Sequence, residues 1–412
     1  MNSRIKDSVV LEFNKGVSYL ESKKYDKAIR IFNKCLDAGV PFKEAYLNLG
    51  NAYRSRGSIV KNDLKKAYLA YTDSINMDVQ FLSGEYGSYA LGYNNLGLWY
   101  YSRGDDLTAI KWYSMAIDID ADYGDAHWNL STALLRLTCS GFNEFWDLGW
   151  EEYEWRFKKS KPTRLRLDIP SIKRWDVSVV GASVCILCEQ GLGDQFMWAR
   201  YLDVIRSEYG CEVVIQCDVS LACIFNALGY DTCRTVSSSN CSYAIPMCSL
   251  SGMLGVVAGD WLSCLVFDKV SFSDNGKKNV GIVWAGSSSH VNDRYRSCGV
   301  GWFQGLSDIV NLYSLMPGIS GVVGALKIEN WMDTLRYISS LDLVITVDSA
   351  VAHACGSLGK PCWVLMPLQE TDFRWGSTGY DNIWYSSVKV FRNPGDWGKV
   401  FEDVRNKLNE II

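Results

Sequence analysis

One sequence pattern recurs in the first third of the chain and constrains the fold more than any other feature. The tyrosines, leucine and glycine of residues 45–53 return at matching positions in residues 92–100. Each copy precedes a segment with small residues and aromatics at helical spacing, which in the later copy are Ala109, Tyr113 and Ala116. An earlier copy runs through Gly16, Tyr19, Ala28, Phe32 and Cys35. Repeats of this kind predict paired helices that stack on their neighbours.

The repeat resembles the tetratricopeptide repeat (TPR). Gly16 and Gly50 are 34 residues apart, which is the period of that repeat. The step from Gly50 to Gly97 is 47 residues, so this unit is expected to carry insertions near residues 58–63 and 81–89. Small residues let paired helices approach each other, and the aromatic side chains fill the groove to the next pair.

The repeat array is predicted to span residues 8–157, with a fourth, degenerate unit that starts near Ala126 and continues through residues 149–157. Two roles stay open for it. It could form a groove for a peptide or another macromolecular partner, or it could serve as a packing platform for the domain behind it. An array of three to four units offers little concave surface for a partner, so the sequence does not decide between the two roles.

The overall charge argues against several classes of partner. The chain has 42 Lys+Arg and 46 Asp+Glu, so no overall basic field attracts nucleic acid or anionic lipid. The first residues lack the apolar segment of a secretory signal, and the most apolar later stretch, residues 251–267, is interrupted by Asp260 and too short to span a bilayer. The 14 cysteines are scattered, which is typical of free thiols in a reducing compartment. We therefore expect a cytoplasmic protein without a membrane span.

A basic stretch follows the repeats. Between Arg156 and Arg174 the chain carries eight Lys or Arg against one acidic residue. Pro162 and Pro170 interrupt any helix there, so an interdomain linker is predicted at residues 158–178. A solvated linker is the usual meaning of such a charge run, and a contact with an anionic acceptor is the alternative.

The rest of the chain alternates strand-like and helix-like segments. Short apolar runs, such as residues 183–188 and 280–284, are followed by turns and amphipathic segments. This β-α-β pattern predicts parallel sheets covered on both faces. The pattern restarts at Asn279, which indicates two Rossmann-like lobes at residues 179–270 and 279–412. Ligands bind at the carboxyl ends of the strands in such folds, so a cleft is expected there.

Three loops at predicted strand ends carry residues that can do chemistry. In the first loop, Gly191 and Gly193 permit a tight turn with the backbone close to a ligand. Asp194 follows at the start of the next helix. On spacing alone it fits a functional carboxylate and a helix N-cap equally well.

The second loop follows the strand at residues 280–284. Small and hydroxyl residues, Ser287 among them, precede Asn292, Arg294 and Arg296. Arginine suits a pyrophosphate because its guanidinium presents a fixed fork of hydrogen-bond donors. An exposed polar loop is the alternative for this segment.

The third loop begins where a buried strand ends at Asp348, and the next helix opens with Ser349 and Ala350. A helix N-terminus that also offers a hydroxyl is a site for phosphate. His353, one of only three histidines, lies four residues after Ser349 and therefore on the same helix face. A histidine satisfied within the core is the alternative.

Together these loops resemble one family. The motifs that carry the resemblance are Gly-Leu-Gly-Asp at 191–194, Trp-Ala-Gly-Ser at 284–287 with the following Asn-Asp-Arg and Arg-Ser, Val-Asp-Ser-Ala-Val-Ala-His at 347–353, Leu-Gly-Lys-Pro at 358–361, Phe-Arg-Trp-Gly at 373–376 and Gly-Asp-Trp at 395–397. In this order they look like bacterial TPR-containing glycosyltransferases, whose catalytic region is similar to the ADP-heptose:lipopolysaccharide heptosyltransferases. The resemblance covers nearly the whole chain.

The resemblance implies a GT-B fold, in which TPR-like helical repeats precede a pair of Rossmann-like lobes. It also implies an inverting transfer that needs no metal or other cofactor. In the family's pattern Asp194 is the base, and Asp348, Ser349 and His353 hold the donor diphosphate. We therefore expect a hexosyl- or heptosyltransferase that uses a nucleotide-diphosphate sugar and modifies an acceptor hydroxyl. The acceptor would be a protein, a surface glycan or another macromolecule, held by the repeat array or the basic linker.

Two other functions stay open. One is a TPR adaptor whose transferase domain binds ligands without catalysis. The other is a transferase for a modified nucleic acid base, against which the acidic balance weighs. A metal-dependent transferase would need an Asp-x-Asp motif after a strand, and the visible candidate, Asp118-Ile119-Asp120, ends a predicted repeat helix instead.

Overall fold

The chain folds into two compact units. One contains Met1–Leu134 with Lys158–Lys161, and the other contains Leu135–Phe157 with Pro162–Ile412. The computed structural model describes residues 3–38, 43–56, 63–80, 87–163, 165, 171–257, 259–288, 293–317, 324–367, 371–393 and 395–411. The insertions expected near residues 58–63 and 81–89 lie largely outside these described residues.

The first unit is built from antiparallel helix pairs. Its described helices are α1 (Ser3–Glu21), α2 (Tyr25–Asp37), α3 (Lys43–Arg56), α4 (Asp63–Gln80), α5 (Gly87–Tyr101), α6 (Asp106–Ile119) and the larger part of α7 (Gly124–Thr138). The pairs α1 with α2, α3 with α4, and α5 with α6 pack together. This arrangement confirms the predicted helical repeats.

Each pair is held close by a glycine on its first helix. The glycines lie against aromatic rings of the second helix: Gly16 against Phe32, Gly50 against Tyr71 and Gly97 against Tyr113. A Cβ atom on Gly97 would lie 2.4 Å from Cε1 of Tyr113, a side chain that is fully buried. The recurring glycine of the sequence pattern is therefore required because no larger residue fits between the paired helices.

Gly97→Ala is expected to lower the free energy of unfolding of the repeat unit by about 1–3 kcal/mol. The added methyl group overlaps the Tyr113 ring, which is enclosed and must be displaced. Chemical denaturation followed by circular dichroism measures the change. Met115→Ala on the exposed face of α6 is the control, because that side chain is 40% exposed. Equal stabilities of the two variants would contradict the close helix contact.

Residues 135–157 belong to the second unit, although the sequence analysis placed them in the repeat domain. They contain α8 (Trp146–Tyr153), flanked by 3-10 turns at Asn143–Phe145 and Glu154–Phe157. The ring of Trp150 packs edge-on against Trp198 and Phe373, at centroid distances of 5.4 and 6.2 Å. The boundary therefore differs from the predicted one because the aromatic side chains of α8 pack among the lobes.

The first lobe is a five-stranded parallel sheet in the order β1-β5-β2-β3-β4. Its elements are β1 (Lys173–Arg174), β2 (Ser183–Leu187), α9 (Leu192–Trp198), α10 (Leu202–Glu208), β3 (Glu212–Gln216), α11 (Ala222–Ala227), β4 (Asp231–Cys233), β5 (Tyr243–Pro246) and α12 (Leu250–Leu254). The edge strand β1 lies within the predicted linker. Arg164 and residues 166–170 of that linker fall outside the described residues.

The second lobe is a six-stranded parallel sheet in the order β11-β10-β9-β6-β7-β8. Its elements are β6 (Asn279–Val283), α13 (Asp293–Arg296), α14 (Val300–Gln304), β7 (Asn311–Ser314), β8 (Gly324–Ala325), α15 (Trp331–Ser340), β9 (Leu343–Val347), α16 (Ala350–Ser357), β10 (Cys362–Pro367), β11 (Val388–Asn393) and α17 (Trp397–Ile411). All five residues of β9 are buried, as expected for a central parallel strand covered on both faces.

The predicted fold class is confirmed: helical repeats precede two lobes with parallel sheets. In each lobe the central strand leads directly into a helix, β2 into α9 and β9 into α16. The loops after these strands therefore lie at the carboxyl ends of the two sheets, where open α/β folds bind ligands. Within the described part of the chain, no helix combines the length and hydrophobicity needed to cross a membrane.

Candidate active site

A cavity of about 640 Å³ lies between the carboxyl ends of the two sheets and brings the three predicted loops together. Its lining residues are Gln190, Gly191, Leu192, Gly193, Asp194, Gly286, Ser287, Arg296, Asp348, Ser349, Ala350, His353, Asp372 and Arg374. Nine of the predicted site residues are in this set. Of the other two, Asn292 lies outside the described residues, and so does the side chain of Arg294.

Asp194 is the third residue of α9, and its side chain is 18% exposed. Its Oδ2 accepts a hydrogen bond from the backbone N–H of Gly191 at 3.0 Å, and its Oδ1 accepts one from Arg374. Burial raises the pKa of Asp194, and the positive charge of Arg374 opposes that rise. The N-cap position of α9 is Gly191 and not Asp194, so the N-cap interpretation of Asp194 is wrong. Asp194 instead accepts from the N-cap amide as the third residue of the helix, and it lines the cavity.

Arg374 is the main cation beside Asp194. It is 6% exposed, and its Nη1 donates to both carboxylate oxygens of Asp372, at 2.9 and 3.0 Å. Its Nη2 donates to Asp194, so one guanidinium bridges two carboxylates. Burial alone would raise the pKa of Asp372, but Arg374 outweighs it and the pKa is lowered. The guanidinium also lies 4.4 Å from the centroid of the Phe373 ring, which fixes its position.

Contacts of two neighbouring residues, Glu189 and Gln190, hold the first loop in place. Arg156, which is fully buried, forms a bidentate ion pair with Glu189 at 2.8 and 3.0 Å. The next residue, Gln190, donates from Nε2 to the Tyr153 hydroxyl at 2.8 Å. The basic stretch was expected to be solvated or to bind an anionic acceptor. For Arg156 both expectations are wrong, because its guanidinium compensates a buried carboxylate.

The start of α16 also lines the cavity. Ser349 is the N-cap residue, and its Oγ lies 3.0 Å from the hydroxyl of Thr346. The first amide groups of an α-helix have no partner within the helix and carry a partial positive charge. The N-terminus of α16 is therefore suited to bind an anion such as phosphate.

Asp348 precedes this helix and points its carboxylate at Trp375, whose Nε1 donates to Oδ1 at 2.9 Å. Burial and the nearby Asp372 raise the pKa of Asp348 to about 6, against the opposing charge of Arg296. The side chain orients the third loop through Trp375. Because its pKa is raised, the ionised form of Asp348 lowers the stability of the folded protein.

Asp348→Asn is expected to stabilise the protein by up to about 3 kcal/mol at pH 7.5. The pKa of Asp348 is about 6 in the folded state, above its ordinary value of 3.8. The folded state therefore binds the extra proton between these values, and wild-type stability falls as pH rises through this window. Asparagine removes the penalty and can still accept from Trp375.

Unfolding midpoints in urea at pH 7.5 and at pH 4 measure this effect, and the gain should largely vanish at pH 4. Asp381→Asn is the control, since its side chain is 86% exposed at the surface. A gain of the same size at both pH values would show that titration of Asp348 is not its source.

Arg296 joins the second loop to the third. Its Nη1 donates to the backbone carbonyl of Asp348 at 3.1 Å, and its Nη2 lies 3.4 Å from the carbonyl oxygen of Ser287. A Cβ atom on Gly286 would lie 2.4 Å from Nη2 of Arg296, so glycine is needed there for the guanidinium to reach. Arg296 lines the cavity, and its role as a donor-binding cation stays a prediction.

His353 lies one turn into α16 and is 6% exposed. Its Nδ1 is 3.1 Å from the Tyr385 hydroxyl, and its ring stacks on Trp375 with centroids 5.0 Å apart. Burial and the charge of Arg374 lower the pKa of His353 to about 3. One side of the ring is thus buried in the core, as expected for a histidine satisfied there. The residue also lines the cavity, as expected for a ligand-binding histidine.

Sequence reasoning missed several residues of the site. Arg374, Asp372 and Gln190 line the cavity, and Trp375 and Tyr385 hold residues that line it. A signal for Arg374 was present, since Phe-Arg-Trp-Gly at 373–376 is one of the motifs that carry the family resemblance. No local pattern marks Tyr385, which reaches His353 across 32 residues.

Comparisons with known proteins return fold neighbours. No family model matches the chain, and no curated protein matches it either. Among solved structures, an O-GlcNAc transferase mutant from Thermobaculum terrenum is 13% identical with a TM-score of 0.37, and the match covers 100% of this chain and 95% of that one. The dodecameric iron-containing glycosyltransferase TibC from enterotoxigenic E. coli is 13% identical with a TM-score of 0.39, and the match covers 58% of this chain and 80% of that one.

A glycosyl transferase family 9 protein from Veillonella parvula is 9% identical with a TM-score of 0.37, and the match covers 57% of this chain and 100% of that one. These neighbours are of the kinds that the sequence motifs resemble.

Proposed function

We propose that the chain is an inverting glycosyltransferase that uses a nucleotide-diphosphate sugar and needs no metal ion. One observation carries the proposal. A carboxylate whose pKa is raised by burial, Asp194, shares a cavity with the N-terminus of α16. The first group is suited to accept a proton and the second to bind a departing diphosphate.

In the proposed reaction Asp194 accepts the proton of an acceptor hydroxyl as its oxygen attacks the anomeric carbon of the donor. The new bond forms between that oxygen and the anomeric carbon. The bond from the anomeric carbon to the phosphate oxygen breaks, and the nucleoside diphosphate leaves with the bonding electrons. A single displacement from the opposite face inverts the anomeric configuration.

In this step the leaving diphosphate gains negative charge on the oxygen that linked it to the anomeric carbon. In the proposed reaction the amides of Ser349 and Ala350 at the start of α16, together with the Arg296 guanidinium, stabilise this charge; all three residues line the cavity. His353 and Ser287 line the same cavity. These donors supply the charge stabilisation that a divalent ion supplies in metal-dependent transferases.

A second cavity, of about 460 Å³, supports a place for the nucleoside. It shares Gly286, Ser287, Ser349 and Ala350 with the first cavity and is otherwise lined in part by Leu315, Met316, Pro317, Asn330 and Trp331. A diphosphate bound at the start of α16 would connect the two cavities. The apolar lining and the indole of Trp331 suit a nucleobase, and the first cavity would then hold the sugar and the acceptor hydroxyl.

The test uses the purified full chain with UDP-, GDP-, ADP- and CMP-sugars. One diphosphate sugar is expected to raise the melting temperature and to release its nucleoside diphosphate with EDTA present. Proton NMR of the product is expected to show the inverted anomer. Nucleotide release only with added metal, or retention of configuration, would overturn that part of the proposal.

The same screen separates the enzyme from a binding-only adaptor. If no donor yields nucleotide with water, glycan, peptide or oligonucleotide acceptors while a partner protein is captured tightly, the adaptor is the better description. Turnover with an oligonucleotide alone would instead identify the nucleic acid base as the acceptor.

A further inference from the structure

The His353 ring presents two different edges to its surroundings. Its Nδ1 faces the interior, 3.1 Å from the Tyr385 hydroxyl. Its Cδ2–Nε2 edge faces the first loop, where a Cβ atom on Gly193 would lie 2.9 Å from Cδ2 and 3.6 Å from Nε2. The imidazole is thus oriented with Nε2 on the side of the cavity that Gly193 and Asp194 line.

Tyr385 is held firmly in place. It is 2% exposed, and its ring lies against Gly356, where a Cβ atom would come within 2.3 Å of Cδ1. Gly356 is three residues after His353, on the same face of α16. The hydroxyl of Tyr385 therefore has little freedom to move away from Nδ1 of His353.

Arg200 lies on the other side of Tyr385. It is 2% exposed, with its guanidinium carbon 4.6 Å from the centroid of the Tyr385 ring. Its hydrogen bonds go to backbone carbonyls, from Nε to Met197 at 2.7 Å and from Nη1 to Trp384 at 2.8 Å. Among the described residues no carboxylate pairs with it. Its positive charge favours the hydroxyl orientation in which the Tyr385 oxygen faces Arg200 and the proton faces His353.

We propose that Tyr385 is a positioning residue whose hydroxyl donates a hydrogen bond to Nδ1 of His353 and so keeps the imidazole as the neutral Nε2–H tautomer. His353 then offers the cavity a hydrogen-bond donor without a positive charge. This inference rests on the proposed function, in which the acceptor of that hydrogen bond is the leaving diphosphate. The tautomer itself is independent of turnover.

The charged groups around His353 agree with a neutral ring. Burial lowers its pKa to about 3, and Arg374 and Arg200 act in the same direction while Asp372 opposes them. Since a neutral imidazole carries one proton, its second nitrogen must be an acceptor. An Nδ1 that accepts from Tyr385 leaves the proton on Nε2.

Nitrogen NMR of the full chain labelled at histidine tests the tautomer directly. The chain has three histidines, so the His353 signals are assigned by their loss in His353→Gln. Between pH 6 and 8 the expected result is a protonated Nε2 and an unprotonated Nδ1. Tyr385→Phe should yield a mixture of tautomers. A protonated Nδ1 in the wild type, or an unchanged spectrum in Tyr385→Phe, would overturn the proposal.

Substitutions at His353 separate hydrogen-bond donation from packing. A glutamine amide reaches the position of Nε2, whereas an asparagine amide reaches that of Nδ1. His353→Gln is therefore expected to retain about tenfold more activity than His353→Asn, the worth of one hydrogen bond. Equal activities of the two variants would contradict a donor at Nε2.

Tyr385→Phe should lower kcat by roughly threefold to tenfold at unchanged acceptor KM. Tyr380→Phe is the control, since its hydroxyl contacts Asp403 at the surface. If the wild type releases no nucleotide, the proposed function fails, and the NMR spectra still decide the tautomer.

Discussion

Asp194→Asn is expected to lower kcat by roughly 10³-fold and to leave donor affinity nearly unchanged. Asparagine cannot accept a proton from the acceptor hydroxyl, so the attacking oxygen must lose it to water. The fold should survive, since the amide oxygen can still accept from Gly191 and Arg374 keeps its pair with Asp372. Burial raises the pKa of Asp194, so its ionised form is unfavourable in the folded state. Removing that charge should therefore not destabilise the variant.

Single-turnover kinetics and donor titration by calorimetry measure the two quantities separately. The control is Asp381→Asn, an exposed carboxylate of the second lobe, which should behave as the wild type. A wild-type kcat in Asp194→Asn would mean that another group accepts the proton. A parallel loss of donor binding would instead assign Asp194 to the donor site.

The wild-type pH profile gives an independent check on the same residue. A general base is active when ionised, so kcat/KM should fall as pH drops through the pKa of Asp194. Burial places that pKa above the ordinary aspartate range. The acidic limb should therefore lie at a higher pH than an exposed aspartate would produce.

Arg374→Met is expected to destabilise the protein by about 3–5 kcal/mol at pH 7.5. Methionine fills much of the volume but leaves Asp194 and Asp372 facing each other without the cation that bridges them. Without the shared cation the two carboxylates repel each other, so their pKa values rise and the cavity takes up a proton. Activity should fall as well, because a protonated Asp194 is no base.

The pH dependence has a definite sign. In the wild type the pKa of Asp372 is lowered by Arg374, so its stabilising contribution is lost as pH falls. In the variant both carboxylates have raised pKa values, and protonation relieves the repulsion as pH falls. The stability gap between the two proteins should therefore narrow from pH 8 towards pH 5.

Urea unfolding across this pH range measures the gap. Arg405→Met is the matched control, because Arg405 pairs with Asp308 at the surface and should contribute less than about 1 kcal/mol. Arg374→Met combined with Asp372→Asn should recover part of the loss. A variant as stable as Arg405→Met would contradict the bridging role of Arg374.

Local patterns in the sequence predicted the repeat helices, the central strands and nine of the residues that line the cavity. The recurring glycines of the repeats, at 16, 50 and 97, mark places where an aromatic ring excludes a side chain. Runs of apolar residues predicted β2, β6 and β9, because a strand covered on both faces must be apolar throughout. Ligands bind where such strands end, which led to Asp194, Arg296, Asp348 and His353.

The boundary of the second unit followed from packing that no local pattern contains. Residues 135–157 share the helical periodicity of the repeats, yet the aromatic residues of α8 pack against Trp198 and Phe373 of the lobes. Arg156 belongs to a run of basic residues typical of a solvated linker, yet it is buried and forms an ion pair with Glu189. Periodicity and composition describe a residue's neighbours in sequence and not those that the folded chain brings to it.

The ionisation states of the site residues also depend on contacts that only the tertiary structure provides. The motif containing Asp194 was visible in the sequence, but the cation beside it, Arg374, comes from a segment 180 residues later. Whether a carboxylate or an imidazole is ionised depends on its burial and on charges within a few ångströms. The sequence thus identified the candidate base, Asp194, and the candidate anion site at the start of α16. The packing of the lobes determined whether the titratable groups of the site are ionised.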